Sequence, residues 1–149
     1  MTPQELSDIE ELHQLKARYL RFGDTHQMEE FKKLFTTDVS VSYTGVPRSG
    51  PDAPSIWEFQ GRDELIQGIV KAMSALGTVE QAHQAYLPEI TITGPTTAKG
   101  IWAVHDYLVM SHCIFKGWGH YHEEYKKVDG KWEISKLRLT RIRIEETWR

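Results

Sequence analysis

Apolar residues recur at three- and four-residue spacing over the first part of the chain, the pattern of a helix that buries one face. They run from position 6 to position 22. Thr2 is placed to cap this helix, Pro3 suits its first position, and Glu5 completes a capping box with Thr2. Gly23 suits a left-handed C-cap. The pattern therefore predicts a first helix that ends near position 22.

Two further helices are predicted from the same period. Asp24 or Thr25 is placed to cap a short second helix. Its apolar positions are Met28, Phe31, Leu34 and Phe35. The third helix is predicted over Arg62–Leu76, where apolar residues share one side and Gly77 follows as a stop signal. All three helices precede the main strand-forming part of the chain.

Alternation of apolar and small polar residues predicts a short strand over Val39–Tyr43, followed by a loop over Gly45–Pro54. After the third helix, β-branched and aromatic residues dominate, separated by the turn signals Gly94-Pro95, Lys116-Gly117 and Asp129-Gly130. The later strands are predicted over Thr78–Thr93, Thr96–His112, Trp118–Val128 and Lys131–Glu145. The second half of the chain is therefore an antiparallel meander.

Helices followed by antiparallel strands indicate an α+β fold. We expect a single domain over residues 1–149, with three N-terminal helices packed in the concave face of a strongly curved, mainly antiparallel sheet. Within Lys99–Val109 one parity contains Trp102 and Asp106, and the other contains Ile101 and Tyr107. Because both parities are largely apolar, both faces need cover. We expect the outer face to pack on a second subunit, in a homodimer or homotrimer.

Composition and charge narrow the class of protein. Hydrophobic residues make up 40% of the 149 residues and charged residues 26%, as in an ordinary globular protein. The 18 basic and 21 acidic residues give a net charge of −3, so nucleic acid is not an expected partner. Cys113 is the only cysteine, which excludes an intramolecular disulfide. No secretion signal and no apolar membrane span are visible, so we expect a cytoplasmic protein without a membrane partner.

Asp106 and His83 are the first candidates for chemistry. If the parity of Asp106 faces the concave side, its carboxylate enters an apolar cavity and needs a partner, a combination typical of functional sites. A solvated or purely structural carboxylate is the alternative. His83 lies in a predicted strand without charged sequence neighbours, and imidazole both accepts and donates protons near neutral pH. A lone core histidine is its alternative role.

Three other side chains are candidate partners for this pair. Asp24 follows the end of the first helix, where it either serves the site or simply caps the second helix. Tyr19 lies on or beside the apolar helix face and offers a hydroxyl, although such a tyrosine is often only core. On the last strand Arg141 and Arg143 share parity with core leucines, and among Arg138, Arg141 and Arg143 we choose Arg141 as the arginine facing a carboxylate. A surface arginine is its alternative role.

Metal and nucleotide chemistry find little support in the sequence. His120 and His122 share one face of a strand, but two ligands without a third are a weak metal signal. The sequence has no glycine-rich phosphate loop and no nucleophile elbow. We therefore expect no metal and no cofactor.

Over nearly its whole length, the chain resembles the SnoaL-like branch of the nuclear-transport-factor-like cone superfamily. The motifs that carry the resemblance are Leu-x-x-Arg-Tyr19, Asp24, Phe31-x-x-Leu-Phe35-x-x-Asp38-Val39, Phe59-x-Gly-Arg62, Ile101-Trp-Ala, Gly119-His-Tyr-His-x-Glu-Tyr125 and Asp129-Gly-x-Trp132. The superfamily includes dehydratases, ketosteroid isomerases, polyketide cyclases, epoxide hydrolases and proteins with no known activity. The resemblance therefore implies the fold more specifically than the reaction.

Within that superfamily, the set Tyr19, Asp24, His83 and Asp106 looks like that of bile-acid dehydratase, with a late-strand arginine that Arg141 matches. Scytalone dehydratase is similar at Tyr19 and His83 but has a histidine where Asp106 stands. This resemblance implies proton-transfer chemistry on an apolar, ring-containing carbonyl compound such as a steroid or polyketide.

The hypothesis from the sequence is a cofactor-independent lyase of the dehydratase type. His83, oriented by Asp24 or Asp106, is the expected base, and Tyr19 or Asp106 the expected acid. The expected apolar walls are Trp57, Phe59, Tyr86, Trp102 and Tyr121, with the loop around Trp57 as a lid. An isomerase or cyclase with one carboxylate base and a non-catalytic binding protein are the alternatives.

Overall fold

A computed structural model describes all residues, 1–149, as three helices and one six-stranded mixed sheet, which confirms the α+β prediction. The helices are α1 (Pro3–Asp24), α2 (Met28–Lys32) and α3 (Arg62–Leu76). The strands are β1 (Phe35–Thr44), β2 (Ile56–Gln60), β3 (Val79–Gly94), β4 (Thr97–Met110), β5 (Cys113–Val128) and β6 (Lys131–Trp148). None of the helices combines the length and hydrophobicity that a membrane crossing requires.

The sheet has the strand order β2-β1-β6-β5-β4-β3. β3 to β6 form the antiparallel meander that the sequence predicts, and the only parallel pair joins β1 to β6. The β5–β6 hairpin turns at Asp129 and Gly130, whose φ angles of 51° and 77° are the positive values that a type I′ turn requires. The mainly antiparallel, curved sheet is therefore as expected.

Helix α1 lies against the inner face of this sheet. Its capping box forms as predicted, with the Thr2 side chain accepting from the backbone of Glu5. Leu12 and Leu15 are buried in one cluster with Val104 of β4 and with core side chains of β5 and β6. Burial of each such side chain stabilises the fold by roughly 1.5–3 kcal/mol, so the core fixes α1, and with it the site residues near its C-terminal end, against the sheet.

The end of α1 differs from the prediction. The helix passes through Gly23 and ends at Asp24, and the residue with left-handed backbone is His26, at φ 58°. The reason is local, because the backbone N–H and the hydroxyl of Thr25 both donate to the carbonyl of Arg21 and extend the last turn. Gly23 therefore does not terminate the helix.

The start of α2 also differs from the prediction. Its N-cap is Gln27, which makes no side-chain capping bond, so neither Asp24 nor Thr25 caps the helix. The carboxylate of Asp24 instead binds His83 on β3. Phe35, predicted as a helical position, is the first residue of β1. Helix α2 is therefore only 5 residues long.

Strand β2 is absent from the sequence prediction. Trp57 lies within it and pairs with Tyr43 of β1, so the loop around Trp57 is not a lid. The residues of β2 alternate between exposed and half-buried positions, which is the period of a strand. Nearby, Arg48 pairs with Glu146 of β6 at 2.8 Å, which ties the preceding loop to the sheet.

The predicted turn at Lys116-Gly117 is also wrong. β5 runs without interruption from Cys113, and the chain reverses at residues 111 and 112 instead. A glycine within a strand often marks the close approach of another group. At Gly117 that group is the side chain of Arg141, described below.

The two faces of β4 are those that strand parity predicts. Trp102, Asp106 and Leu108 are buried on the inner face. Ile101 and Tyr107 on the outer face are 37% and 41% exposed. The carboxylate of Asp106 therefore points into the interior.

Candidate active site

A cavity of about 110 Å³ lies between α1, α3 and the inner face of the sheet. All five predicted polar residues line it: Tyr19, Asp24, His83, Asp106 and Arg141. Trp57 and Tyr121, predicted as walls, line it as well. The remaining lining is mostly apolar, including Leu20, Phe31, Ile69, Met73, Leu108 and Leu139. The fold thus gathers side chains from distant parts of the sequence around one apolar space.

Asp24 binds both the imidazole and the backbone of His83. Its Oδ1 lies 2.6 Å from His83 Nδ1, and its Oδ2 accepts the backbone N–H of His83 at 2.8 Å. Gln81, two residues before His83 on the same strand face, donates from Nε2 to the carbonyl of Gly23 at 3.1 Å and lies near Asp24. Because a carboxylate accepts hydrogen bonds, we assign the imidazole proton to Nδ1. Nε2 is then the basic nitrogen.

Nε2 of His83 faces a second carboxylate. His83 and Asp106 are direct partners in the β3–β4 register, but Nε2 and Asp106 Oδ2 are 3.7 Å apart, too far for a hydrogen bond. Asp24 therefore orients the ring, and Asp106 does not. With its side chain 24% exposed, His83 presents Nε2 to the cavity without a close partner.

Asp106 is instead bound by Arg141. Two parallel hydrogen bonds join Arg141 Nη1 and Nη2 to the carboxylate at 2.6 and 2.9 Å. Burial raises the pKa of Asp106, but the hydrogen bonds and charge of Arg141 outweigh burial, so the net pKa lies below the ordinary 3.8. Asp106 is consequently a carboxylate at neutral pH, with its charge compensated.

Backbone carbonyls fix the other side of the Arg141 guanidinium. Nε donates to the carbonyl oxygens of Thr44 and Gly45, both at 3.2 Å, and Nη2 donates to Gly45 at 2.9 Å. Gly45 has a φ of 65°, which favours glycine, and a Cβ there would lie 2.8 Å from Arg141 Cγ. The sharp turn after β1 therefore brings these carbonyls to the arginine.

A β-bulge in β6 decides which arginine enters the site. Trp118 pairs with Arg143 and Gly119 pairs with Arg141, so Ile142 is an extra residue. The bulge reverses the parity, so Arg141 points inward and Arg143 is exposed. The predicted choice of Arg141 agrees with the geometry, but the shared parity of Arg141 and Arg143 is wrong.

Tyr19 pairs with a tyrosine that sequence reasoning missed. Its hydroxyl lies 2.6 Å from the hydroxyl of Tyr43, and both side chains line the cavity. Burial raises the pKa of both phenols, so both stay protonated and can donate hydrogen bonds. The alternation of Val39, Val41 and Tyr43 was the available signal, because it puts Tyr43 on the inner face.

Three predicted wall residues lie outside the cavity. Phe59 packs its ring against Gly68 of α3, where a Cβ would collide with it. Tyr86 is 47% exposed because its parity on β3 faces outward. Trp102 points inward but is buried in the core, where Nε1 donates to the Tyr125 hydroxyl at 2.9 Å. These three residues do not line the site.

His120 and His122 do not assemble a metal site. Their ring centroids are 6.3 Å apart, and His122 Nε2 lies 3.1 Å from the hydroxyl of Thr140. Nowhere does the structure group three or more histidine, cysteine or acidic side chains as metal ligands.

Comparison with known proteins identifies the family. A model of the SnoaL-like domain matches residues 4–138, which is most of the chain. The chain belongs to the SnoaL-like family. The proteins similar to this SnoaL-like domain include a probable cyclase, a scytalone dehydratase-like protein and a dehydrochlorinase. The probable cyclase FGR4 of Gibberella zeae is 25% identical over 137 residues, covering 85% of this chain and 86% of the relative.

Solved structures confirm the fold of this SnoaL-like domain. A scytalone dehydratase-like protein from Novosphingobium aromaticivorans superposes with a TM-score of 0.82 at 21% identity, over 99% of this chain and 92% of the other. The hexachlorocyclohexane dehydrochlorinase LinA-type3 from Novosphingobium barchaimii gives a TM-score of 0.78 at 16% identity, over 96% and 92% of the chains. The family and its neighbours thus include enzymes that convert small molecules.

Proposed function

We propose that the protein is a cofactor-independent lyase that removes water from an apolar, ring-containing carbonyl compound such as a steroid or polyketide. One observation carries this proposal: Asp24 holds His83 Nδ1 at 2.6 Å and leaves Nε2 facing an apolar cavity. An imidazole fixed in this way is a general base at a defined place. The similarity to a scytalone dehydratase-like protein and to a dehydrochlorinase supports an elimination reaction.

In the proposed reaction, His83 Nε2 removes a proton from the carbon next to the substrate carbonyl. The C–H electron pair forms a carbon–carbon double bond as the C–O bond to the leaving hydroxyl breaks. Positioned proton transfer of this kind typically contributes about 10²–10⁴-fold to the rate. Asp24 stabilises the imidazolium that forms and keeps its ring oriented.

Tyr19 is the proposed proton donor to the leaving hydroxyl. Its raised pKa keeps the phenol protonated, so that it holds a proton to donate, and the Tyr43 hydroxyl at 2.6 Å fixes its position. Asp106 is unsuited to this role, because Arg141 holds it as a carboxylate. We assign Asp106 and Arg141 to shaping the cavity and balancing the charge that develops beside His83. The imidazolium of His83 then releases the proton it gained and the Tyr19 phenolate takes one up, by exchange through water, which restores both side chains.

Substitution of His83 tests the proposal. The probe is the aldol of acetone and benzaldehyde, whose dehydration gives the conjugated ketone benzalacetone, followed by its absorbance. We expect His83→Ala to lower kcat by about 10²–10⁴-fold while circular dichroism stays unchanged. His13→Ala is the matched control, because His13 is exposed and lies outside the cavity. Equal turnover of the His83 and His13 variants would refute the role of the base.

A cyclase or isomerase is the second candidate, favoured by the similarity to the probable cyclase FGR4. Such an enzyme would use one carboxylate, Asp24 or Asp106, as its main base and would expel no water. Mass spectrometry of the product distinguishes the two, because only the dehydratase product is lighter than its substrate by one water. A protein that binds the aldol without converting it would be a binding module.

We also propose that two or three copies associate through the outer face of the sheet. Exposed apolar side chains there include Tyr86, Ile101, Tyr107 and Ile142. Exposed apolar side chains on one sheet face favour association. Sedimentation of the wild type and of Tyr107→Lys tests the proposal, since a charge in the contact shifts the protein toward monomer. A cytoplasmic location stays a prediction, which cell fractionation tests.

A further inference from the structure

A groove on the surface adjoins the cavity at His83. We call it the outer groove, and its lining besides the residues shared with the cavity is Val70, Ser74, Gly77, Thr78 and Val79. The shared residues are His26, Met28, Ile69 and Met73, which line both spaces. The groove has a volume of about 480 Å³. These four residues therefore form a boundary between an inner and an outer space.

The inner cavity is small for the substrate class proposed above. It is partly open to solvent and has a volume of about 110 Å³, compared with about 150 Å³ for a closed apolar cavity that holds one benzene molecule, so it has room for about one ring. A ring that also carries a carbonyl and a leaving hydroxyl exceeds this space. If the reacting carbon lies at His83, the rest of the substrate must extend outward. The outer groove is the adjoining space with room for it.

The lining of the outer groove indicates what it binds. Val70, Met73 and Val79 supply apolar surface, and Val70 is 47% exposed although it is aliphatic. Ser74 and Thr78 add two hydroxyl groups, and no lysine, arginine, aspartate or glutamate lines the groove. A strongly anionic substituent such as a phosphate would find no lysine or arginine there, only the imidazole of His26 and the two hydroxyls. The lining suits a neutral, apolar body.

We propose that the outer groove is a second subsite, which binds the neutral, apolar remainder of an elongated substrate such as a second ring or an alkyl chain. The position of the reacting end at His83 rests on the proposed function. The affinity of the groove for a neutral apolar group does not rest on that function. Binding measurements therefore test the subsite without any turnover.

Two neutral probes of different length test the subsite. We would measure the binding of phenol and of para-phenylphenol by calorimetry. The wild type should bind para-phenylphenol at least about tenfold more tightly, because the second ring is buried in the groove. Ser74→Trp fills the groove and should remove this preference while phenol binding stays unchanged. Ala75→Trp is the matched control, because Ala75 is exposed on α3 but does not line the groove.

A charged substitution provides a second, independent test. Val70→Asp should also remove the preference for para-phenylphenol, because a carboxylate disfavours an apolar ring, whereas Ala75→Asp should retain it. Equal affinity of the wild type for both probes would overturn the subsite. An equal preference for para-phenylphenol in Ser74→Trp and Ala75→Trp would also overturn the subsite.

Measurements in His83→Ala separate the subsite from the proposed reaction. The variant should keep the preference for para-phenylphenol, since the groove is intact, while it loses turnover of the aldol. A wild type that shows the preference but no turnover would refute the lyase alone. A wild type that turns over the aldol but shows no preference would refute the subsite alone.

Discussion

Arg141 binds both carboxylate oxygens of Asp106, at 2.6 and 2.9 Å, across the inner face of the sheet at Gly117. The pair is almost fully buried, with 7% and 4% of the two side chains exposed. A buried ion pair costs desolvation energy that its attraction only partly offsets. Its place beside His83 therefore points to a role in the site rather than to a gain in stability.

The ion pair gives a prediction about stability. We expect Arg141→Met to lower the free energy of unfolding by about 3–5 kcal/mol, because Asp106 is left as an unpaired buried charge. The double variant Arg141→Met, Asp106→Leu should recover most of that loss, since no charge remains buried. Urea unfolding measures both. A double variant less stable than Arg141→Met would show that the two side chains do not act as a pair.

The lowered pKa of Asp106 predicts how its contribution changes with pH. Arg141 outweighs burial and holds the folded-state pKa below the ordinary 3.8. Relative to protonated Asp106, the ionised carboxylate therefore stabilises the fold fully above 3.8, and this contribution falls as the pH drops through the lower folded-state value. The difference in unfolding free energy between wild type and Asp106→Asn should shrink there. A difference independent of pH would contradict the lowered pKa.

Local signals were sufficient for much of the fold. The third helix begins and ends at the predicted residues, Arg62–Leu76, and the Asp129-Gly130 turn forms as expected. Strand parity likewise turns Asp106 inward. Each of these features depends on residues that are close in sequence, namely those that end a helix, those that form a turn and those that alternate along one strand.

The features that the sequence did not reveal depend on partner strands. The bulge at Ile142 becomes apparent only when β6 is aligned with β5, so parity alone misplaced Arg143. The sequence predicts a turn at Gly117, because a lone glycine does not tell which group approaches it. Tyr43 was overlooked since its role depends on Tyr19, from another element. Non-local pairing, rather than local propensity, decides these positions.

Gly117 gives the next prediction. An added Cβ there would collide with Arg141 Nη1 and lie 2.7 Å from Asp106 Oδ1. Because the guanidinium is also fixed by backbone carbonyls, it has little freedom to move away. We expect Gly117→Ala to cost about 1–3 kcal/mol of stability and to lower aldol turnover about tenfold or more, the effect of roughly 1.4 kcal/mol in the barrier.

Gly50 offers the matched control for this substitution. A Cβ at Gly50 would meet no atom within 4 Å, and its backbone is not in the left-handed region. Gly50→Ala should therefore match the wild type in both turnover and unfolding. If Gly117→Ala also retained wild-type turnover, the placement of the Arg141 and Asp106 pair would not matter for the reaction.

The last prediction concerns a buried ion pair behind the site. Lys16 Nζ lies 2.7 Å from Glu123 Oε2, and the two side chains are 1% and 0% exposed. The ammonium also lies 3.9 Å and 3.6 Å from the ring centroids of Tyr19 and Tyr121, which line the cavity. Burial lowers the pKa of Lys16 although Glu123 opposes the shift. The pair thus supports the rings that form one wall of the cavity.

We expect Lys16→Met to lower the free energy of unfolding by about 3–5 kcal/mol, because Glu123 is left as an uncompensated charge. Glu123→Gln should have a similar cost, but the double variant should lose less than the sum, since the amide still accepts from the Tyr125 hydroxyl. Lys33→Met, which breaks an exposed pair with Glu30, is the control and should cost about 0–1 kcal/mol. Additive losses in the double variant would mean that Lys16 and Glu123 stabilise the wall independently, and the electrostatic support of Tyr19 would then have to come from elsewhere.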